Sequence, residues 1–293
     1  MVVADQATSP AETPEVKRRR LRFALRDARR ESKLTQHIAA KKLSWSPSKI
    51  VRIEQGTVPV APTDVRAMLF LYGVTDQERV ESLVTLAAEA REMKGFKQYA
   101  DIYSPTALEL FGSESAAQVI YKHEPTIIPG LLQTRDYANA LLMSLGDSPE
   151  GAARKAAARI ERQVMLERKD RPELNFIIGE AALVRPAGSK EIMAEQIAAL
   201  RRYVREDDIN LYALPFSAGA HRGLGEAFTI LQFASEDDPD VLYLENAERL
   251  SVSREDEDTL KRYQELFVHL KEIAESCGDF ETVLDEVVGS RFE

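Results

Sequence analysis

The sequence predicts a mainly helical protein with a small sheet, in which an N-terminal helical bundle is followed by a C-terminal α+β domain. The chain has 293 residues, which is enough for two domains. Apolar residues recur at helical spacing in the first third, whereas short apolar runs typical of strands appear only in the second half. Apolar residues make up 44% of the chain, but no run is long enough to span a membrane.

The N-terminal part is expected to contain three segments. Residues 1–16 are acidic and rich in Ala, Thr and Pro, and predict a disordered tail rather than a signal peptide. Residues 17–74 predict a helical domain, and residues 75–112 a helical connector. The connector helix has an apolar stripe that could belong to the core or to a two-fold dimer interface. The stripe consists of Val80, Leu83, Val84 and Ala87.

Residues 113–276 are expected to form the α+β domain, with antiparallel strands, and residues 277–293 a C-terminal tail. The predicted helices are 113–123, 135–145, 151–168, 191–204 and 258–274. The predicted strands are 175–178, 209–214, 229–233 and 241–244.

Residues 35–56 predict two short helices joined by a tight turn. Thr35 and Ser46 are good N-caps, and Pro47 follows at the first helical position, where a missing N–H costs nothing. Gly56 is expected to close the second helix. Ser44 stands in the turn, where a left-handed non-glycine residue costs about 1 kcal/mol.

The second of these helices is predicted to be amphipathic. Ile50 and Ile53 share one face, which leaves Ser48, Lys49 and Arg52 outside. This is the layout of a helix-turn-helix that reads DNA in the major groove.

Charge is segregated along the chain. Residues 17–56 hold 13 Lys and Arg against 3 Asp and Glu, a net charge of +10, while the whole chain carries −9. Basic surface residues alone could be ordinary solvated charges. Because the basic block coincides with the helix-turn-helix pattern, we expect double-stranded DNA as its partner.

Residues 21–73 resemble the Cro/CI-type (xenobiotic-response-element, XRE) helix-turn-helix domain, a bundle of five helices. The resemblance implies that Gln36 braces against a phosphate and that bases are read by the start of the second helix and by a residue one turn later. It also implies a structural pair between Arg29 and Glu54. For Trp45 we favour packing against the neighbouring helix over a phosphate contact. The DNA-binding residues are therefore predicted to be Gln36, Trp45, Ser46, Pro47, Ser48, Lys49 and Arg52.

A second resemblance covers residues 20–275. Residues 124–138, which read EPTIIPGLLQTRDYA, are similar to a signature of WhiJ-like, antitoxin-like actinobacterial regulators. In this family a Cro/CI-type domain precedes a domain of unknown function. The resemblance implies a regulator of transcription that is modulated by a small partner protein encoded nearby. We expect this partner to be acidic and the regulator to be a homodimer.

The second domain offers candidate residues for a pocket or a partner surface: Gln133, Tyr137, Glu180, His221 and Glu245. Structural roles are favoured for the first two. Glu180 and Glu245 end strand-like runs, where they could converge on a pocket or, as we favour, cap backbone N–H groups. His221 has no neighbouring ligand at metal spacing and is expected to be an ordinary loop histidine.

Three classes of function remain open: a transcription factor controlled by a partner protein, a transcription factor that senses a small molecule, and an enzyme with a DNA-binding domain. The third is the weakest because no catalytic motif is visible, so we expect no enzyme, no cofactor and no metal. The single cysteine, Cys277, excludes an internal disulfide. It suits a cytoplasmic, nucleoid-associated protein.

Overall fold

A computed structural model describes residues 14–55, 58–92, 95–205, 209–234, 239–245, 250–253 and 257–289. The chain divides into two compact units, an N-terminal unit of residues 1–116 and a C-terminal unit of residues 117–293. Residues 1–13 of the predicted tail and Gly56, the predicted helix end, lie outside the described residues. No helix in the described ranges is long and apolar enough to cross a membrane.

The N-terminal unit is helical. Its helices are α1 (Pro14–Glu31), α2 (Gln36–Lys42), α3 (Pro47–Glu54), α4 (Pro62–Leu71), α5 (Gln77–Glu92) and α6 (Pro105–Glu114), with a 3₁₀ turn at Gly95–Tyr99 before α6. Helix α1 faces the core with Leu21, Leu25 and Ala28, at the four- and three-residue spacing of one helical face.

The stripe on α5 belongs to this core. Val80, Leu83 and Ala87 are buried, and Val84 packs against them, in one cluster with α1, α3 and α4. The two alternatives for this stripe therefore resolve in favour of the core, because side chains already buried within one chain are not available to a second copy.

The C-terminal unit is an α+β structure. Its elements are β1 (Val119–Glu124), α7 (Arg135–Ser144), α8 (Pro149–Gln163), β2 (Glu173–Gly179), α9 (Glu180–Val184), α10 (Lys190–Arg205), β3 (Asn210–Leu214), β4 (Ala227–Gln232), β5 (Val241–Glu245), β6 (Leu250–Ser253), α11 (Glu257–Cys277) and α12 (Phe280–Val288). Together with the helical bundle before it, this unit confirms the predicted fold class.

The six strands of the described residues form one sheet in the order β3-β2-β1-β4-β5-β6. Strands β1, β2 and β3 are parallel neighbours, and β4, β5 and β6 pair antiparallel. The expected antiparallel sheet is thus half correct, since each parallel pair is joined by a helical crossover. Strand β1 lies at the centre, where the parallel and antiparallel halves meet.

The two faces of β1 differ because side chains alternate along a strand. On one face Tyr121 packs with Phe267 of α11, in a core that also contains Phe228 and Ile230. Lys122 lies on the opposite face, where it meets a carboxylate of β5.

Three sequence predictions of structure were wrong. Residues 14–16 were assigned to the disordered tail, but α1 begins at Pro14 and Val16 is buried. Residues 113–123 were expected to form one helix, but α6 ends at Glu114 and β1 begins at Val119. The strand was not predicted because residues 122–124 are polar in sequence, although all three are buried in the structure. Residues 277–293 were expected to be a tail, yet α12 is capped by Asp279. The buried side chains of α12 are Phe280, Val283, Leu284 and Val288.

Candidate functional site

The turn between α2 and α3 is fixed by backbone hydrogen bonds. Thr35 caps α2, with its hydroxyl accepting from the Ile38 N–H at 3.2 Å. After α2, Ser44 adopts φ 57°. The N–H groups of Ser44 and Trp45 then donate to the carbonyls of Lys41 and Ala40. This pattern ends a helix with a left-handed residue, and it sets the direction in which α3 leaves.

Helix α3 presents a polar N-terminal end to solvent. Pro47 occupies the first turn, and Ser46 is the N-cap by backbone conformation, but its side chain caps nothing. Instead, the Ser46 Oγ lies 3.1 Å from the Ser48 Oγ. Ile50 and Ile53 are buried as expected, and the exposed residues on the other side are Ser46, Pro47, Ser48 and Arg52.

Glu54, at the end of α3, joins three helices. Its carboxylate accepts from Arg29 Nε at 2.6 Å and from Arg29 Nη2 at 2.8 Å, which is the pair implied by the resemblance. Gln36 Nε2 donates to the same carboxylate at 2.8 Å. Arg29 also donates to the Leu34 carbonyl just before α2. The helix-turn-helix is therefore held together by one buried carboxylate.

Lys49 and Trp45 act within the N-terminal unit. Lys49 Nζ lies 2.9 Å from Asp64 Oδ2 on α4 and 3.6 Å from the centre of the Trp45 ring. Trp45 is half-buried and packs against the core cluster. The packing role favoured for Trp45 thus has a contact to support it, and Lys49 is engaged by an ion pair and a cation–π contact.

Two of the candidate residues in the C-terminal unit are buried parts of the fold. The Gln133 Nε2 donates to the Ile128 carbonyl at 2.6 Å, and its Oε1 accepts from Arg159. The hydroxyl of Tyr137 accepts from the N–H of Ile128 at 3.3 Å. With both side chains buried and bonded, they brace the segment between β1 and α7.

Glu180 and His221 support loops. The Glu180 carboxylate accepts from the Phe216 N–H at 2.7 Å, which is the backbone-capping role that we favoured. His221 Nδ1 accepts from the Gly223 N–H at 3.2 Å. Glu180 and Glu245 thus have different partners, and no contact joins them among the hydrogen bonds and ion pairs of the described residues.

Glu245 instead belongs to a cluster of charged residues that the sequence analysis missed, in which Lys122 and Glu124 are buried and Glu245 is partly exposed. It pairs with Lys122 of β1, whose Nζ also lies 3.6 Å from Glu124 Oε2. The Thr229 hydroxyl approaches Glu245 at 3.5 Å. Burial alone would lower the pKa of Lys122, but the two carboxylates hold it above its ordinary value. We call Lys122, Glu124 and Glu245 the charge cluster.

The pKa values of the two carboxylates in the charge cluster are shifted in opposite directions. Burial raises the pKa of Glu124, and Lys122 only partly offsets this. For Glu245, burial is outweighed by Lys122, so its pKa is lowered. Arg162 on α8 adds a second positive charge nearby. The ammonium group of Lys122 therefore lies between two carboxylates whose pKa values are shifted in opposite directions. This site is at the carboxyl end of β1, where the two halves of the sheet meet.

His221 has a neighbouring histidine that the sequence analysis did not find. Its ring centre lies 6.4 Å from that of His123, which is fully buried. The Nε2 of His123 lies 2.8 Å from the carbonyl oxygen of Gly223 and must donate, because that oxygen can only accept. A Cβ on Gly223 would lie 2.6 Å from a methyl group of Leu270, which explains the glycine. Within the described ranges, no group of three or more His, Cys, Asp or Glu could hold a metal ion.

The charge cluster makes a first prediction. Replacing Lys122 by Met should lower the free energy of unfolding by about 3–5 kcal/mol, because the buried carboxylate of Glu124 and the partly exposed one of Glu245 lose their cation. Urea unfolding of the full chain measures the loss, and Lys190→Met, at an exposed site of the same unit, is the matched control. Adding Glu124→Gln and Glu245→Gln to Lys122→Met should recover most of the loss. Equal stability of Lys122→Met and Lys190→Met would show that the interaction of Lys122 with the two carboxylates does not stabilise the fold.

The burial of His123 predicts that the free energy of unfolding depends on pH. Burial lowers its pKa from 6.5 to about 4, with the nearby His221 and Lys122 acting in the same direction. Between these values the unfolded chain binds a proton that the folded chain does not, so stability falls as pH drops below 6.5. From pH 6.5 to 5 the loss should be about 2 kcal/mol.

Urea unfolding at a series of pH values measures this effect. His123→Gln should flatten the dependence relative to the unsubstituted chain, whereas His37→Gln, at an exposed site, should leave it unchanged. The same slope in the unsubstituted chain and in His123→Gln would contradict the assignment.

Comparison with known families agrees with the two units. A helix-turn-helix domain family matches residues 20–83, which contain α2, the turn and α3. A family described as a domain of unknown function, DUF5753, matches residues 108–286. No curated protein and no solved structure matches the chain. Since the second match spans more than half of the chain, the protein belongs to the DUF5753 family and carries an N-terminal helix-turn-helix DNA-binding domain.

Proposed function

We propose that the protein is a sequence-specific transcriptional regulator that binds operator DNA as a homodimer, in the manner of Cro/CI-type and WhiJ-like regulators. The observation that carries this proposal is the exposed end of α3. There Ser46, Pro47, Ser48 and Arg52 face solvent, while Ile50 and Ile53 anchor the helix from behind. A rigid helix with short polar side chains and one arginine fits the major groove.

Each exposed residue has a chemical role in this proposal. Arg52 can donate two parallel hydrogen bonds to guanine, which is the commonest specific contact to a base. Pro47 has no donor and can contact only a thymine methyl group. Gln36 uses its amide group to donate to Glu54, and the second N–H of the same amide can reach a phosphate. Lys41 and Lys42, exposed at the end of α2, add phosphate contacts.

The homodimer would place two copies of α3 in successive major grooves, with half-sites about 34 Å apart. Because the α5 stripe is buried within the N-terminal unit, the dimer contact must use another surface. Phe70 on α4 is 87% exposed, the largest value among the exposed large apolar residues of the described chain. We propose Phe70 as the side chain at which a second copy makes contact.

For the C-terminal unit we propose binding of a small acidic regulatory protein. Phe216 and Leu224, which lie in the loops between β3 and β4, are both more than half exposed, and exposed apolar side chains favour a protein partner. The alternative is a small-molecule sensor. The charge cluster supports it, since it lies where the parallel and antiparallel halves of the sheet meet, a place where ligands often bind. In either case the unit binds rather than catalyses, and the protein acts in the cytoplasm on the nucleoid.

Replacing Arg52 by Ala tests the reading of bases. The operator is first selected from random duplexes with the full chain, and affinities are then measured on it and on unrelated DNA. Arg52→Ala should relax the preference at one position per half-site and weaken operator binding by about 1–3 kcal/mol. Gln36→Ala should instead weaken binding to all sequences, because it removes a phosphate contact. Equal losses of Arg52→Ala on both DNAs would show that Arg52 reads no base.

Native mass spectrometry of the chain purified from its own host tests the partner. A dimer that carries a small acidic protein is the expected result. Extra mass of a small molecule would replace the partner proposal by the sensor alternative. A monomer at concentrations where operator DNA is bound would contradict the homodimer.

A further inference from the structure

The N-terminal unit contains a cleft that the helix-turn-helix does not require. It has a volume of about 330 Å³ and lies between α1, the segment after α3, the end of α5 and α6. This volume is at the lower end of the range for small-molecule sites. We call it the α1–α6 cleft. Its lining residues are Arg18, Arg22, Val58, Pro59, Arg91, Lys97, Ala100, Tyr103, Pro105, Leu108 and Glu109.

The lining combines positive charge with apolar surface. Four of the lining side chains are cationic and one is a carboxylate. That carboxylate, Glu109, is already bound by both Nη atoms of Arg22, at 2.6 and 2.8 Å. Arg91 and Lys97 are exposed at the cleft and can turn towards a ligand. The remaining walls are aliphatic or aromatic, and Tyr103 is fixed by an edge-to-face contact with Phe111, with ring centres 4.9 Å apart.

Arg22 is the polar group most deeply placed in this lining. Its side chain is 3% exposed, and its Nε has no hydrogen-bond partner among the described residues. Since this Nε is out of reach of solvent, Arg22 contributes the positive charge of its guanidinium to the cleft rather than a free donor.

We propose that the α1–α6 cleft binds a small organic anion, an apolar or aromatic body that carries a carboxylate, sulfonate or phosphate group. The anionic group pairs with the exposed cations Arg91 and Lys97, beside the guanidinium of Arg22, and the body packs against Val58, Leu108 and the Tyr103 ring. The charged side chains select the head group and the apolar walls select the body, as is usual in ligand sites.

Such a ligand would act on the DNA-reading helix, and this consequence rests on the function proposed above. Arg22 Nη1 donates to the carbonyl of Gln55, the residue that ends α3, at 2.9 Å. The same guanidinium holds Glu109 of α6. A negative charge placed beside this guanidinium competes with both contacts, so ligand binding and operator binding should affect each other by the same factor.

The DNA backbone is a less suitable occupant than a small anion. A phosphate of the duplex is reached by long, exposed side chains, whereas Arg22 is buried under α6 and bound to Glu109. The apolar part of the lining would also gain nothing from a DNA strand. A concave site with apolar walls fits a ligand that can enter it.

Titration of the full chain with anilinonaphthalene sulfonate, a fluorescent aromatic anion, tests the site. Its neutral analogue N-phenylnaphthylamine shows whether the negative charge is needed. Arg91→Gln combined with Lys97→Gln should raise the Kd for the anionic dye about five- to tenfold, as expected for two exposed charges. Ala100→Trp, which fills the cleft at an exposed position, should abolish binding at this site. Arg79→Gln combined with Lys169→Gln, two exposed cations outside the cleft, is the matched control.

Unchanged dye affinity in both cleft variants, or equal affinity for the neutral analogue, would overturn the proposal. It would also be overturned if Arg91→Gln with Lys97→Gln weakened binding to unrelated duplex DNA and reduced its salt dependence, because these cations would then contact phosphates. Dye binding is measured without DNA, and operator selection is carried out without dye. Failure of the cleft and failure of the DNA-binding function are therefore seen separately.

Discussion

The carboxylate of Glu54 is the group on which the DNA-binding part of the structure depends. It accepts hydrogen bonds from Arg29 on α1 and from Gln36 on α2, and it is itself the last residue of α3. The short helices α2 and α3 could otherwise shift against α1, since isolated helices of their length are barely stable. Removing one partner of such a buried pair costs about 3–5 kcal/mol. The orientation of the exposed face of α3 is thus set by contacts on the opposite side of the helix, within the N-terminal unit.

The C-terminal unit uses buried charge in a different way. Lys122 lies on the central strand and is shared between Glu124, two residues along, and Glu245 on β5. Its contacts connect the parallel and antiparallel halves of the sheet, which backbone pairing between β1 and β4 also joins. Apolar residues of the same size would hold the sheet equally well or better. A cation and two carboxylates at this junction therefore indicate either a need for one particular strand arrangement or a role in binding.

The extent to which the sequence predicted the structure follows from the distance between partners along the chain. The helix-turn-helix could be predicted because its caps, its left-handed turn at Ser44 and its apolar stripe are all local. The charge cluster could not, since Lys122 and Glu245 are 123 residues apart. His123 and Gly223 are 100 residues apart, so the sequence did not indicate that the His123 ring lies next to His221. Strand β1 was mistaken for a helix because its polar residues are buried only through those distant contacts.

The contacts of α3 also separate two basic residues that look alike in sequence. Lys49 already has Asp64 at 2.9 Å and the Trp45 ring beneath it, so a contact with DNA would require it to leave both. Its ammonium group instead fixes α4 and the turn relative to α3. Arg52 is exposed one turn after the start of the helix, and its planar guanidinium suits the edge of a guanine. Lys49 is thus engaged within the N-terminal unit, and Arg52 is the side chain for which we propose the reading of a base.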